Sequence, residues 1–361
     1  MAELLKNTYS KDYIRDSASQ IKRGYSSFNS KNFINNVLDS QWPHRELKDR
    51  MYHISRCLNT HIQQPYPKSV LILSKIVSKF GSYEAMFFPA YIELFGLDDW
   101  QNSIPALELF TQFSSSEFAV RPFIIQNPRK MMAQMKRWSK HKNYHVRRLA
   151  SEGCRPRLPW AMALPEFKKN PDLILPILET LKNDPELYVR RSVANNLNDI
   201  AKDHPKLIHT ISKNWLGQNE ELDWLVKHAC RTLLKKGDKK VLQLFGYKNP
   251  KHVTVASLSC DKSVSIGDAF NFKLKLKNNS TKPIKLGKLR IEYAIHYVKS
   301  NGQLSKKIFK ISESVIAEAT KAISKKHSFR QMSTRKHYPG QHKISIIVNG
   351  ELLKIKTFSV I

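Results

Sequence analysis

The densest chemistry in the chain lies in one segment, Val146-Arg147-Arg148-Leu149-Ala150-Ser151-Glu152-Gly153-Cys154-Arg155-Pro156-Arg157-Leu158-Pro159-Trp160. Helical spacing puts Arg148 and Glu152 on one face, at i and i+4. Gly153 permits the helix to end, Pro156 and Pro159 constrain the loop that follows, and Trp160 ends that loop. Arg155 and Arg157 carry the planar, two-pronged donors that grip phosphates. A carboxylate, several guanidinium groups and an aromatic wall in so short a stretch suit attack at a sugar carbon inside a polyanion. There a carboxylate stabilises developing positive charge or activates water. The same residues also read as an ordinary ion pair between Arg148 and Glu152, with Trp160 as a packing side chain. Further on, Val189-Arg190-Arg191-Ser192-Val193-Ala194-Asn195-Asn196-Leu197-Asn198-Asp199 brings a second acid about one turn beyond Asn195 and Asn196. On an adjacent stacked helix Asp199 can share a face with Glu152; the competing reading is a surface Asp at a helix end.

The elements that must position these residues repeat. Val146-Arg147-Arg148 recurs as Val189-Arg190-Arg191 and again as Val226-Lys227-His228, 43 and then 37 residues later. Each follows a polar turn, and an Ala (Ala150, Ala194, Ala229) stands within three residues of each basic pair, where helices approach closely. Asp172 to Leu181 and Pro205 to Trp215 read as partner helices for the second and third motifs. A period of about 40 residues with two helices per unit marks HEAT-like repeats, which stack because no single unit buries its own apolar face. Arg45 to Leu58 and Lys68 to Phe80 also read as helices, and Gln41-Trp42-Pro43-His44 as a loop.

The pattern changes after Gly246-Tyr247-Lys248-Asn249-Pro250. Residues 253–258, 271–276, 289–298, 342–348 and 352–360 alternate or cluster apolar residues in the manner of strands, separated by turns such as Asn278-Asn279-Ser280 and Asn349-Gly350. About seven short strands in this length suggest a two-sheet immunoglobulin-like sandwich without the disulfide of antibody domains. The expected organisation is multidomain: an all-α HEAT-like repeat solenoid over residues 1–247, followed by an all-β immunoglobulin-like sandwich over 251–361.

Charge separates the two parts further. The 361 residues hold 61 Lys and Arg against 30 Asp and Glu, a net charge of +31. Residues 251–361 hold 22 against 6, a net +16, and the longer first part a net +15. Such an excess favours a polyanionic partner, and the alternative is a solvated, lysine-covered surface. No apolar run of about 18 residues spans a bilayer, and Met1-Ala2-Glu3 begins polar without a signal-like segment. Four scattered Cys and 13 His form no zinc-binding pattern, so a soluble protein of a reducing compartment without metal is expected.

The Arg-Arg-Leu-Ala-Ser-Glu-Gly-x-Arg-Pro-Arg-Leu-Pro-Trp string of residues 147–160 resembles the bacterial AlkC-type DNA alkylation repair glycosylases, within the wider HEAT-like repeat glycosylase superfamily. The likeness extends less sharply over residues 40–247. It implies a helical DNA-binding solenoid that removes N3-alkylated bases, chiefly 3-methyladenine and with 3-methylcytosine as a further candidate, from double-stranded DNA in the bacterial cytoplasm, associated with the nucleoid. By this resemblance Glu152 is the principal catalytic carboxylate, Asp199 the second acid and Trp160 the aromatic residue beside the lesion. Arg148 stands on the same helix face, and Glu117 is a third acid whose alternative reading is a surface carboxylate near a helix start. Arg148, Arg155, Arg157, Arg190 and Arg191 are the expected DNA-binding cations, and no cofactor or metal is called for. The rival function is a noncatalytic HEAT-repeat module that binds nucleic acid or serves as a scaffold.

Overall fold

The computed structural model describes residues 5–279, 287–332 and 336–361. Met1-Ala2-Glu3 and Ser280 of the expected turn lie outside the described residues. The regular elements are helices as far as Leu244 and strands from Val253 onward. Contacts group the chain into two compact units, Met1–His204 with Trp215–Ala229, and Pro205–Asn214 with Cys230–Ile361.

In the first unit the repeat motifs fall on the Tyr144–Glu152, Leu187–Ile200 and Glu220–Ala229 helices. Their apolar stripes face inward: Val146, Val189 and Val226 are buried, and so are Ala150, Ala194 and Ala229. Each buried Val adds about 1.5–3 kcal/mol over an exposed one, and the small Ala side chains let helices close on each other. The Leu187–Ile200 helix packs against both of the other two. Asn143 caps the Tyr144–Glu152 helix by accepting from the His145 amide at 2.9 Å. At the other end Gly153 meets neighbouring side chains so closely that a Cβ there would lie 2.6 Å from Val120 Cγ2.

The expected helices at 45–58 and 68–80 form as Leu47–Ile62 and as Tyr66–Ile76 with a 3-10 turn at Val77–Lys79. Trp42-Pro43-His44 is a 3-10 turn rather than an open loop; Pro43 sits at its start, where a missing N–H leaves nothing unpaired. The helix expected from Asp172 begins only at Leu175, with Pro176 in its first turn.

The second unit carries β1 (Val253–Cys260), β2 (Ser263–Val264), β3 (Ala269–Asn278), β4 (Gly287–Val298), β5 (Leu304–Ile316), β6 (Thr320–Ser328), β7 (Gly340–Val348) and β8 (Glu351–Val360). They form a three-stranded sheet, β1-β3-β6, and a five-stranded sheet, β2-β8-β7-β4-β5. Phe270, Phe272, Leu274 and Leu276 of β3 share one apolar core with Ile291 of β4 and Ile346 of β7. β5 and β6, which the sequence reading did not single out, are edge strands rich in Lys and Ser. Such composition hides a strand from an alternation search and also keeps an edge from pairing with other chains.

Strand register fixes what the three-stranded sheet shows on its outer side. Lys273, Lys275 and Lys277 of β3 are exposed, alternating with the buried Phe272, Leu274 and Leu276. Lys273 lies between Ser259 and Ser324, Lys275 between Ser257 and Ala322, and Lys277 between Thr254 and Thr320. The helices of this unit join its strands closely. Gly237 ends the Arg231–Lys236 helix at φ +73°, and Gly350 occupies the β7–β8 turn at φ +82°. A Cβ on Gly350 would stand 2.9 Å from Gly237 Cα. Among the described residues no helix is long and apolar enough to cross a membrane.

Candidate active site

Glu152 ends the Tyr144–Glu152 helix and is 5% exposed. Arg148, one turn earlier, approaches Glu152 Oε1 at 3.4 Å, as the i, i+4 spacing requires. Arg155 follows the helix, turns back and donates from Nη1 to Glu152 Oε1 at 2.6 Å. Its Nε donates to Asp199 Oδ2 at 3.0 Å. Asp199 is 2% exposed in the last turn of the neighbouring helix, so it is no surface acid. Lys202 donates to its other oxygen at 3.0 Å. On the far side, Arg148 pairs with Glu117, whose carboxylate also accepts from the Ser115 hydroxyl at 2.9 Å. Glu117 is therefore held within the cluster rather than displayed on the surface.

These side chains make one line of alternating charge: Glu117, Arg148, Glu152, Arg155, Asp199, Lys202. Ser192 completes the Glu152 shell by donating to Oε2 at 2.6 Å. Burial pushes the Glu152 carboxyl upward, but Arg148, Arg155 and the Ser192 hydroxyl outweigh it and hold the group below its ordinary value. Burial likewise pulls Arg148 and Arg155 down, and their carboxylate partners reverse the shift. Buried ion pairs contribute little net stability, because desolvation offsets most of the attraction. What the arrangement provides is a pair of carboxylates, Glu152 and Asp199, fixed in direction in a place poor in water.

Trp160 is 68% exposed and has φ +64°, a left-handed conformation that a bulky side chain rarely adopts. Lys48 donates to its carbonyl at 2.8 Å. The indole therefore projects from its loop instead of packing, which removes the packing interpretation for this residue.

The arginines expected to meet phosphate divide. Arg155 does not face solvent: its guanidinium bonds Glu152 and Asp199 and is 6% exposed, so the phosphate role expected of it is corrected to that of a link between two acids. Arg157 pairs with Asp203 at 2.6 Å but stays partly open. Arg190 donates to the carbonyls of Asp184 and Pro185 and so closes the turn before its own helix. Arg191 is exposed on that helix.

Three participants escaped the sequence reading. Ser192 follows the Arg190-Arg191 pair directly, yet only its helix neighbour shows that it reaches Glu152. Tyr188, 41% exposed, lies under the Arg148 guanidinium at 5.0 Å and edge-on to Tyr144; its place just before the repeat motif was a usable signal. Arg121 holds the loop after Glu152, and a lone Arg in the apolar run Ala119-Val120-Arg121-Pro122-Phe123 was a signal too. Among the described residues no three His, Cys, Asp or Glu side chains gather as a metal site.

Residues 111–233 match the family model described as DNA alkylation repair enzyme, and residues 254–361 match the C-terminal Ig-like domain model of the uncharacterised protein YhaZ. The uncharacterized protein YhaZ of Bacillus subtilis (strain 168) is 44% identical over 358 residues, 99% of each chain. The solved structure of Pseudomonas fluorescens alkylpurine DNA glycosylase AlkC, bound to DNA containing an abasic site analog, is 36% identical. It superposes with a TM-score of 0.94 over 99% of this chain and 100% of that one. With identity at that level along essentially its whole length, this chain belongs to the AlkC-type family of DNA alkylation repair glycosylases.

Proposed function

We propose that this protein is a monofunctional DNA glycosylase that hydrolyses the N-glycosidic bond of cationic N3-alkylated bases in duplex DNA, chiefly 3-methyladenine, with 3-methylcytosine a further candidate. The observation that carries this reading is the pair of buried acids, Glu152 and Asp199, joined through one arginine on adjacent helices. An alkylated base already bears positive charge, so it leaves without protonation at the ring. When the bond breaks, its electron pair passes to the base, which departs neutral, and the positive charge moves to the sugar. Two fixed carboxylates stabilise that oxocarbenium character more than they stabilise the bound substrate, which lowers the barrier. Water adds to C1′ and gives its proton to a carboxylate and then to solvent, leaving an abasic site. Trp160 packs against the deoxyribose or base and excludes bulk water. Glu117 and Arg148 complete the charge balance around Glu152, and Arg157 and Arg191 contact phosphates.

In this reading residues 1–247 form a HEAT-like repeat glycosylase domain and residues 251–361 an immunoglobulin-like sandwich. The sandwich binds phosphates through lysines and does not read bases, since Lys acts on the backbone as a point charge. The outer lysine row of β3, bordered only by Ser, Thr and Ala, supports this role.

Release of 3-methyladenine from methylated duplex DNA by wild type, E152Q and D199N tests the proposal. Wild type should release the base. E152Q should bind DNA as wild type does and lose about 100-fold or more in single-turnover rate, in line with the loss of a single electrostatic group from an active site. Binding without release by the wild-type protein would instead establish the scaffold class.

A further inference from the structure

Arg121 is fully buried in the Val120–Gln126 helix, yet its guanidinium bonds carbonyl oxygens rather than a carboxylate. Nη1 donates to the carbonyls of Gly153 and Arg155, each at 2.9 Å. Nε donates to the carbonyl of Met162 at 2.7 Å. Nη2 is buried without a partner. Burial lowers the Arg121 pKa to about 10. Glu117 and Asp199 attract this cation without bonding it; a buried cation is expensive to maintain, and three carbonyls from one loop are the partners it obtains.

The positions of those acceptors give the clamp its meaning. Gly153 and Arg155 start the loop that follows Glu152, and Met162 lies three residues before the Pro165–Lys169 helix that closes it. Between them stand Arg155, which ties Glu152 to Asp199, and Trp160 in its left-handed conformation. Val120, next to Arg121, is the side chain that a Cβ on Gly153 would strike at 2.6 Å, so the helix backs directly onto the loop start. A guanidinium reaches both anchor points of such a loop because its donors diverge in a fixed plane; a lysine ammonium is a compact point donor.

We propose that Arg121 is a positioning residue for base release: it pins the 153–162 stretch at its start and at Met162, so that Arg155 holds the two acids together and Trp160 projects from between the anchors. Arg121 itself touches no DNA. This rests on the glycosylase reading above, and its test separates the two.

The test uses full-length wild type, R121K and R121M, with three measurements: Kd for duplex DNA containing an abasic analogue, single-turnover release of 3-methyladenine, and hydrogen exchange along the chain. Both variants should bind within about twofold of wild type. Release should slow about 10-fold in R121K and about 100-fold in R121M, the scale set by small misplacements of reacting groups. Faster exchange should be confined to residues 153–162. Wild-type release rates in R121M, a loss lying entirely in Kd, or faster exchange spread through all the helices would overturn the proposal. If R121M does not fold, R121K decides by the same readings. If wild type releases no base, the glycosylase reading fails, and the clamp then stands or falls on whether exchange rises in the loop alone.

Discussion

Glu152 keeps its charge while almost wholly removed from water, and the reason lies in its immediate neighbours. Burial alone would raise its pKa; two guanidinium groups and a hydroxyl drive it the other way, below the ordinary 4.5. A carboxyl depressed on folding contributes stability that is present above its unfolded pKa and lost as pH falls through the lower folded value. The ionised form, the one the proposed mechanism uses, is therefore favoured across the neutral range. Single-turnover rates measured against pH should show no acid limb centred above 4.5 that E152Q abolishes; such a limb would mean that the cations do not control this group. Trp160 makes a second residue-scale case. A left-handed bulky residue costs roughly 1–3 kcal/mol, and the loop spends it on exposing an indole. W160A should slow release at least 10-fold at unchanged melting temperature, because no packing is lost with the exposed ring. A large fall in melting temperature would return Trp160 to a packing role.

At the scale of elements, the junction of the Tyr144–Glu152 helix with its loop is packed too tightly for change. A methyl at Gly153 would meet Val120 Cγ2 at 2.6 Å and Met135 Cε at 3.0 Å. G153A should cost about 1–3 kcal/mol, as overpacking does, and thermal or denaturant unfolding of the variant reads this directly. Much of this element was legible in sequence: the i, i+4 pair of Arg148 and Glu152, the helix end at Gly153 and the proline-bound loop all follow from local rules. The return of Arg155 onto two acids was not legible, because spacing gives the turn on which a residue lies but not the direction in which a loop closes. The link from Glu152 to Ser192 was hidden for a related reason, since it crosses between helices 40 residues apart. Edge strands β5 and β6 were obscured by the polar composition that suits an edge.

At the scale of the molecule, charge and compactness follow different boundaries. Composition changes near Pro250, yet the second compact unit includes Pro205–Asn214 and the chain from Cys230 onward. A cut at residue 250 would strip helices from strands that meet through Gly237 and Gly350, so deletion is a poor probe of the basic sheet. Substitution in the full chain is better. K273Q/K275Q/K277Q removes three exposed charges from the outer face of β3. Each lysine that meets a phosphate contributes about 0.9 to the slope of log K against log salt. The triple variant should therefore flatten that slope by about 2 to 3 without slowing release from bound DNA. An unchanged slope would make the row a solvated surface.

The alternating line from Glu117 to Lys202 has a consequence for the company DNA keeps. Duplex DNA arrives wrapped in magnesium and polyamines, and a bare pair of buried acids would capture such ions before any lesion was found. Here every acid of the line already pairs with an internal cation, which leaves the counterion atmosphere little to bind. In the proposed reaction the cationic base, and then the sugar, meets carboxylates that Arg148 and Arg155 hold throughout, so no pairing has to be remade when the base leaves neutral. In that reading, discrimination against the ions of the cell and readiness for the next turnover come from the same side chains.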